Sequence, residues 1–316
     1  MVFGESRIKD LYRRVVWGPY RRAFDRLPPG SEVRANRLLG RAVARAARGK
    51  RDQVARNLGR AFPDRDLDPI IDQLFQTHFM EQYISWSFHR IDRDTWPNYL
   101  ELRGRAHLDA ALAEGRGAVL LHPHMGAAQM PLAVLGVLGY PMNQIGGGGV
   151  DVVLSETGRW AESMRHQLED HIQATIWDGT GFLRPVLRAL GGNEVVLTAM
   201  DGTGGGREMG RRLTRTVLGQ PMNLPVGGLY LALRSGAALL PLVTYSSRAG
   251  DGLFVSEIGA PLSLDRHARL RDALETGVDQ VAALLDGHLR THPGDWHFWD
   301  EFQPGRFLVD PDEAAA

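Results

Sequence analysis

Two histidines, His122 and His124, follow the apolar run Ala118–Leu121 and precede a stretch of small residues that ends at Gln129. A strand-type run that delivers imidazoles just before a helix start is where an α/β fold places a site, and imidazole suits proton transfer near neutral pH. If the strand continued through both residues their rings would share a face. Pro123 argues that it ends at His122 and that the rings diverge, leaving His124 as the candidate base. At the amino end of a helix the dipole would favour its neutral form. A catalytic imidazole also needs an orienting partner. Gln129 can orient a ring but cannot neutralise charge, so Asp201, at the end of the apolar strand from Val195 to Met200, is the candidate anion.

Each of these residues has a second reading. The histidines can be a buried, hydrogen-bonded pair, and Asp201 can simply begin the turn Asp201-Gly202-Thr203-Gly204. His122, His124 and Asp201 can also be read as a His-x-His metal set of a hydrolase. Two glycine clusters, Gly146–Gly149 and Gly202–Gly206, lack both the Gly-Lys-Ser/Thr ending of a phosphate loop and the dinucleotide spacing. Arg207, Arg211, Arg212 and Arg215 follow the second cluster and could meet an anionic headgroup or a carrier phosphate; a solvated charged loop is the alternative. No Gly-x-Ser-x-Gly occurs, which disfavours a nucleophile-elbow hydrolase. Without cysteine there is no thiolate nucleophile or thiolate metal site. No cofactor is expected.

The surrounding elements follow from composition and periodicity. With 316 residues, 43% hydrophobic and 23% charged, the chain has ordinary globular composition, and 37 basic residues balance 37 acidic ones. No net field draws it to nucleic acid. Basic residues nevertheless outnumber acids from Arg7 to Arg60; Lys9 and Lys50 are the only lysines, so arginine abundance by itself is no sign of phosphate binding. Residues 1–100 read as a basic, amphipathic helical segment broken at Pro28-Pro29-Gly30, with Asp68 as an N-cap and Pro69 in the first turn of a later helix. Its face of Trp17, Tyr20 and Phe24 among arginines packs either on the core or on an anionic membrane surface. Residues 101–316 read as an α/β core. Strands are expected near 118–121, 194–198, 238–244 and 253–258 with helices between, which predicts a mostly parallel central sheet. An amphipathic helix is expected from Leu270 to His288, closed by Pro293. The absence of a spanning run or secretory leader makes a cytoplasmic protein the expectation, peripheral on the inner face of the membrane.

Several segments, in order, resemble the bacterial lipid A biosynthesis (lauroyl/myristoyl) and phosphatidylinositol mannoside acyltransferases, within the lysophospholipid acyltransferase superfamily. Arg56-Asn57-Leu58 through Phe62-Pro63 is similar to the family's Asn-Leu…Phe-Pro segment, and His124 through Gln129 stands at its His-x4-Asp/Glu motif. Leu187 to Asp201 resembles the helix, turn and strand that end at the family's Asp. Leu218-Gly219-Gln220-Pro221 with Leu231 to Pro241, and Pro293 to Trp299, match the following and closing motifs. The resemblance implies a glycerolipid acyltransferase-like fold and transfer of a fatty acyl group from an acyl thioester, acyl-CoA or acyl carrier protein, to a hydroxyl or amine of a lipid or glycolipid. His124 would be the base, with Asp201 and Gln129 beside it. Substrate would be bound by His122, by backbone amides around Gly126 acting as oxyanion donors, and by Arg207 and Arg211. Because Gln129 stands where the motif has a carboxylate, either that role passes to Asp201 or catalysis is lost and the protein is a non-catalytic family member that binds lipid or an acyl carrier. The segment Trp177-Asp178-Gly179-Thr180 lacks the family's arginine, and Asp300-Glu301 is acidic. Both point to a specialised lipid, lipopeptide or glycolipid acceptor.

Overall fold

The computed structural model describes residues 6–146, 154–178, 183–202, 210–247 and 253–310. The described residues form nine strands: β1 (Leu100–Arg103), β2 (Ala118–His122), β3 (Met142–Gly146), β4 (Ala174–Asp178), β5 (Val195–Ala199), β6 (Arg212–Val217), β7 (Gln220–Pro225), β8 (Ala238–Ser246) and β9 (Phe254–Ile258). Seven of them make one sheet in the order β1-β9-β8-β2-β5-β3-β4. All its pairings are parallel except β8–β9. The expected mostly parallel α/β architecture with helices before it is therefore present.

β2 is an unbroken apolar run because it is buried on both faces, as a central parallel strand must be. Val119 and Leu121 enter one hydrophobic cluster with Val196 of β5, while Ala118 and Leu120 enter a second with Val195 and Leu197. The sheet thus separates two cores. On the first side lie the helices Gly227–Ser235 and Leu270–Thr291, the latter through Leu274, Val278, Val281, Leu285 and Leu289. On the second lie Arg105–Ala113 and the wholly buried helix Met130–Val137.

The strands missed by periodicity are short or partly polar. β1 reads Leu-Glu-Leu-Arg at a sheet edge, and β3 reads Met-Asn-Gln-Ile-Gly with only its first two residues buried. The segment from Arg212, read as a solvated loop, instead pairs antiparallel with β7. Its two connecting residues, Leu218 and Gly219, both have positive φ (51° and 73°), as a two-residue hairpin turn requires. Arg215 is held there by Glu275 and Asp279 of the long helix.

Before β1 the chain forms helices Arg7–Val15, Ser31–Ala46, Arg48–Ala61 and Asp68–Gln82. Gly30 breaks the first pair with φ 86°, and a Cβ there would sit 2.7 Å from the Asn98 carbonyl oxygen. Trp17 and Phe24 are buried and pack on Trp86, as does Tyr20. The aromatic side chains are therefore spent on the protein interior. Asn57 donates to the Trp299 carbonyl at 2.8 Å, and Phe62 meets the Trp299 ring edge-on at 5.8 Å. Two motifs some 240 residues apart in the chain thus form one packing unit.

Asp295, fully buried, ties these layers together. Its Oδ1 accepts from Thr77 Oγ1 (3.0 Å) and from the Ser246 amide and hydroxyl (3.0 and 2.6 Å), and its Oδ2 accepts from Gln73 Nε2 (2.8 Å). Its carbonyl oxygen accepts from the Gly126 amide at 2.9 Å. Replacing it with alanine strands several buried donors, so Asp295→Ala is expected to cost about 3 kcal/mol in chemical denaturation. Asp295→Asn should cost about half as much, because the Gln73 amide can turn its oxygen to the new donor; equal losses for the two variants would contradict this account.

Candidate active site

β2 and β5 run parallel with His122 opposite Ala199, so both leave the sheet at one edge. Two residues beyond each exit stand His124 and Asp201. Topology alone brings the imidazole and the carboxylate together. His124 Nδ1 lies 2.8 Å from Asp201 Oδ1, while Oδ2 accepts from the His124 backbone amide and from Trp296 Nε1, both at 2.8 Å. A carboxylate accepts hydrogen bonds, so the ring proton is on Nδ1 and the Nε2 lone pair is available. The His124 side chain is 30% exposed and Asp201 not at all. The pair therefore leaves an imidazole partly exposed and keeps its anion dry.

Burial by itself would push the Asp201 carboxyl up, but His124, Trp296 and the amide outweigh it and hold the acid below its ordinary range. For His124 burial pulls downward, and the Asp201 charge and hydrogen bond reverse this to a net rise. The expected effect of a helix dipole is absent, since the following helix begins only at Met130. Asp201, rather than a helix end, sets the ring's charge preference.

His122 is buried and its ring lies 5.6 Å from that of His124, so Pro123 ends the strand without parting them. Its Nδ1 is 3.0 Å from the Pro123 carbonyl oxygen, which can only accept, and burial lowers its pKa to about 4. It is a neutral neighbour at physiological pH. Gly126 has φ 57°, and a Cβ there would come 2.7 Å from the Thr244 carbonyl oxygen. Its amide is donated to Asp295 and its carbonyl accepts from His297 Nε2 at 2.6 Å. That amide is thus structural, and it is not turned to a substrate oxyanion. Gln129, half-buried, precedes the helix Met130–Val137; among the described residues its side chain makes no hydrogen bond to the dyad. Arg211 is exposed at the foot of the β6–β7 hairpin, and Arg207 lies outside the described residues. The glycine runs after Gly146 and after Gly202 lie outside them too. The His-x-His metal reading finds no support among the described residues, because His122, His124 and Asp201 do not converge as a ligand set and both Asp201 oxygens are taken by N–H donors.

Sequence reasoning missed the wall formed by residues 295–298. Trp296 orients the Asp201 carboxylate, the His297 amide donates to the His124 carbonyl at 3.0 Å, and the Phe298 ring packs 4.8 Å from the His124 ring. The signal available was the run Trp-His-Phe-Trp following a closed helix, a density of aromatic and imidazole side chains that no periodic core face requires.

A parallel-sheet α/β protein with a buried carboxylate and a half-exposed imidazole at the strand exits has the parts of a general-base site. Residues 21–301 match the profile of the bacterial lipid A biosynthesis acyltransferase family, and the chain belongs to that family. It is also similar to phosphatidylinositol mannoside acyltransferases of two Mycobacterium tuberculosis strains. It is 28% identical over 230 residues to that of H37Rv and 30% over 230 residues to that of CDC 1551. Each match covers 67% of this chain and 61% of the relative's length.

The raised His124 and lowered Asp201 values make the pair most stabilising between the ordinary carboxylate and imidazole ranges. Its contribution fades as pH falls through the depressed Asp201 value, and again as pH rises past the elevated His124 value. Imidazole NMR titration is expected to place His124 above 6.5 in the wild type and below it in Asp201→Asn, where burial persists without the counter-charge. An unchanged midpoint in the variant would contradict the pairing.

Proposed function

We propose that this protein transfers a fatty acyl group from an acyl thioester, acyl-CoA or acyl carrier protein, to a hydroxyl of a lipid or glycolipid, with His124 as general base. The observation that carries the reading is the Nδ1–Asp201 contact of 2.8 Å, which leaves Nε2 as the acceptor on a half-exposed ring. His124 Nε2 takes the acceptor's O–H proton as that oxygen attacks the thioester carbonyl carbon. The tetrahedral oxyanion then collapses, the C–S bond breaks, and the imidazolium returns its proton to the departing thiolate. Asp201 stabilises the imidazolium throughout and stays ionised. A thioester is already activated, so orientation and deprotonation can supply most of the acceleration without an acyl-enzyme. Family membership and the relatives' names support a lipid acceptor, and those names make phosphatidylinositol mannoside the first acceptor to test.

The same reading puts the protein on the inner face of the membrane as a peripheral enzyme. No described helix is long and apolar enough to cross a bilayer. On the helix Arg7–Val15, Ile8, Leu11 and Val15 fall on one face and are 82%, 65% and 49% exposed, with Arg7 and Arg14 of the same helix also exposed. An apolar stripe flanked by guanidinium groups suits an anionic headgroup layer.

With acyl-CoA and phosphatidylinositol mannoside as substrates, His124→Ala is expected to lose at least ~100-fold in kcat. Asp201→Asn should lose about 10³–10⁴-fold, because its NH2 group would force the proton onto Nε2. Transfer by His124→Ala at the wild-type rate would overturn the assignment. Replacing Ile8, Leu11 and Val15 together with serine should weaken sedimentation with anionic vesicles by at least ~10-fold; undiminished binding would remove the stripe from the membrane contact.

A further inference from the structure

Behind the His124 loop lies a second group of ligating side chains that the proposed reaction does not use. His78 and Glu81 stand one turn apart on the helix Asp68–Gln82, so they share a face, and His297 comes from the closing segment. One ligand atom from each of the three lies within 4.8 Å of the other two. Among the described residues this is the one set of His, Asp and Glu atoms that converges in this way.

The hydrogen bonds fix what these atoms can offer. His297 Nε2 lies 2.6 Å from the Gly126 carbonyl oxygen, which only accepts, so Nε2 carries the proton and Nδ1 carries a lone pair. That Nδ1 is buried and has no hydrogen-bond partner; the same is true of His78 Nε2. Two buried, unpartnered imidazole nitrogens beside a carboxylate would be costly if left as they stand. A backbone carbonyl accepting from the far nitrogen is also the usual way in which a metal-ligating histidine is oriented. We propose that His78 Nε2, Glu81 and His297 Nδ1 form a binding site for a divalent ion of the zinc class, which cross-links the helix Asp68–Gln82 to the segment that supports His124.

Two neutral imidazoles and one carboxylate are the ligand chemistry of zinc, and three protein ligands leave a fourth position for water. Bonds of 2.0–2.1 Å imply tetrahedral ligand separations of about 3.3 Å, so side-chain closure of roughly an ångström completes the site. The His297 amide holds the His124 carbonyl and its ring holds the Gly126 carbonyl, so an ion on Nδ1 would brace the loop that carries the base. The site is independent of the reaction proposed above, and its test needs no substrate.

The full chain, stripped with chelator, is titrated with Co²⁺ and separately with Zn²⁺. One equivalent of Co²⁺ should bind with the visible absorption of a low-coordinate site, and one equivalent of Zn²⁺ should displace it and raise Tm by about 5 °C at saturation. In the wild type, Zn²⁺ should shift the His78 and His297 imidazole resonances and leave the His122 ring unaffected. His78→Gln and Glu81→Gln should each weaken Zn²⁺ binding at least ~100-fold, while His124→Ala keeps wild-type affinity. The proposal fails if the wild type binds no stoichiometric ion, if the His78→Gln/Glu81→Gln double variant binds as tightly, or if His124→Ala abolishes binding. Resonance shifts in the wild type decide the matter should a variant fail to fold.

Discussion

A carboxylate with no solvent exposure must either find protein donors or be protonated, and Asp201 finds three: the His124 ring, the His124 amide and the Trp296 indole. Each donor comes from a segment that has to be in place before the anion can be buried. β2 must end at His122 for its loop to turn toward β5, β5 must run parallel beside it, and the segment 295–298 must fold back against both. The electrostatics of the site are thus a consequence of its satisfaction. Because all three N–H groups point at the carboxylate, it stays ionised in a dry setting and raises the proton affinity of the one imidazole left half-exposed.

The closing segment is the second support, and its stabilisation comes from polar contacts as much as from packing. Asp295 binds donors from the helix Asp68–Gln82 and from the end of β8, and its carbonyl takes the Gly126 amide. Trp296 is ringed edge-on by Trp299, Phe302 and Phe307. Trp299 is in turn held by Asn57 and Phe62 from the helical segment that precedes the sheet. That segment is therefore part of the same structural unit as the site, and its buried aromatic residues bind it to the protein interior. The exposed residues of its first helix remain on the outside.

Much of the site could be read from residue order, for physical reasons that are easy to name. A buried parallel strand has to be an apolar run, so β2 and β5 were visible as such, and the first polar groups beyond them were the natural candidates for chemistry. The strands β1, β3 and β4 were not visible: β1 and β4 lie at the sheet edges and β3, although interior, is only partly buried, and such positions permit polar residues that erase the periodicity. The helix-dipole argument for His124 failed because five residues lie between it and the next helix, a spacing that depends on how the Gly126 turn is held by Asp295 and His297. The arginines after the second glycine run could be read as a solvated charged loop or as an anion contact, yet Arg212 begins a strand and Arg215 pairs with Glu275 and Asp279.

The sequence by itself determined the fold class, the two strand exits and the chemical identities of His124 and Asp201, because burial on both faces of a sheet and the ends of apolar runs leave a local imprint. Tertiary structure alone decided which nitrogen of His124 faces outward, that the Gly126 amide is consumed internally, that Trp296 and His297 wall the site, and that His78 and Glu81 converge on His297. Those outcomes depend on contacts between residues more than 70 positions apart. No local pattern encodes the direction of a hydrogen bond whose partner arrives from another part of the chain.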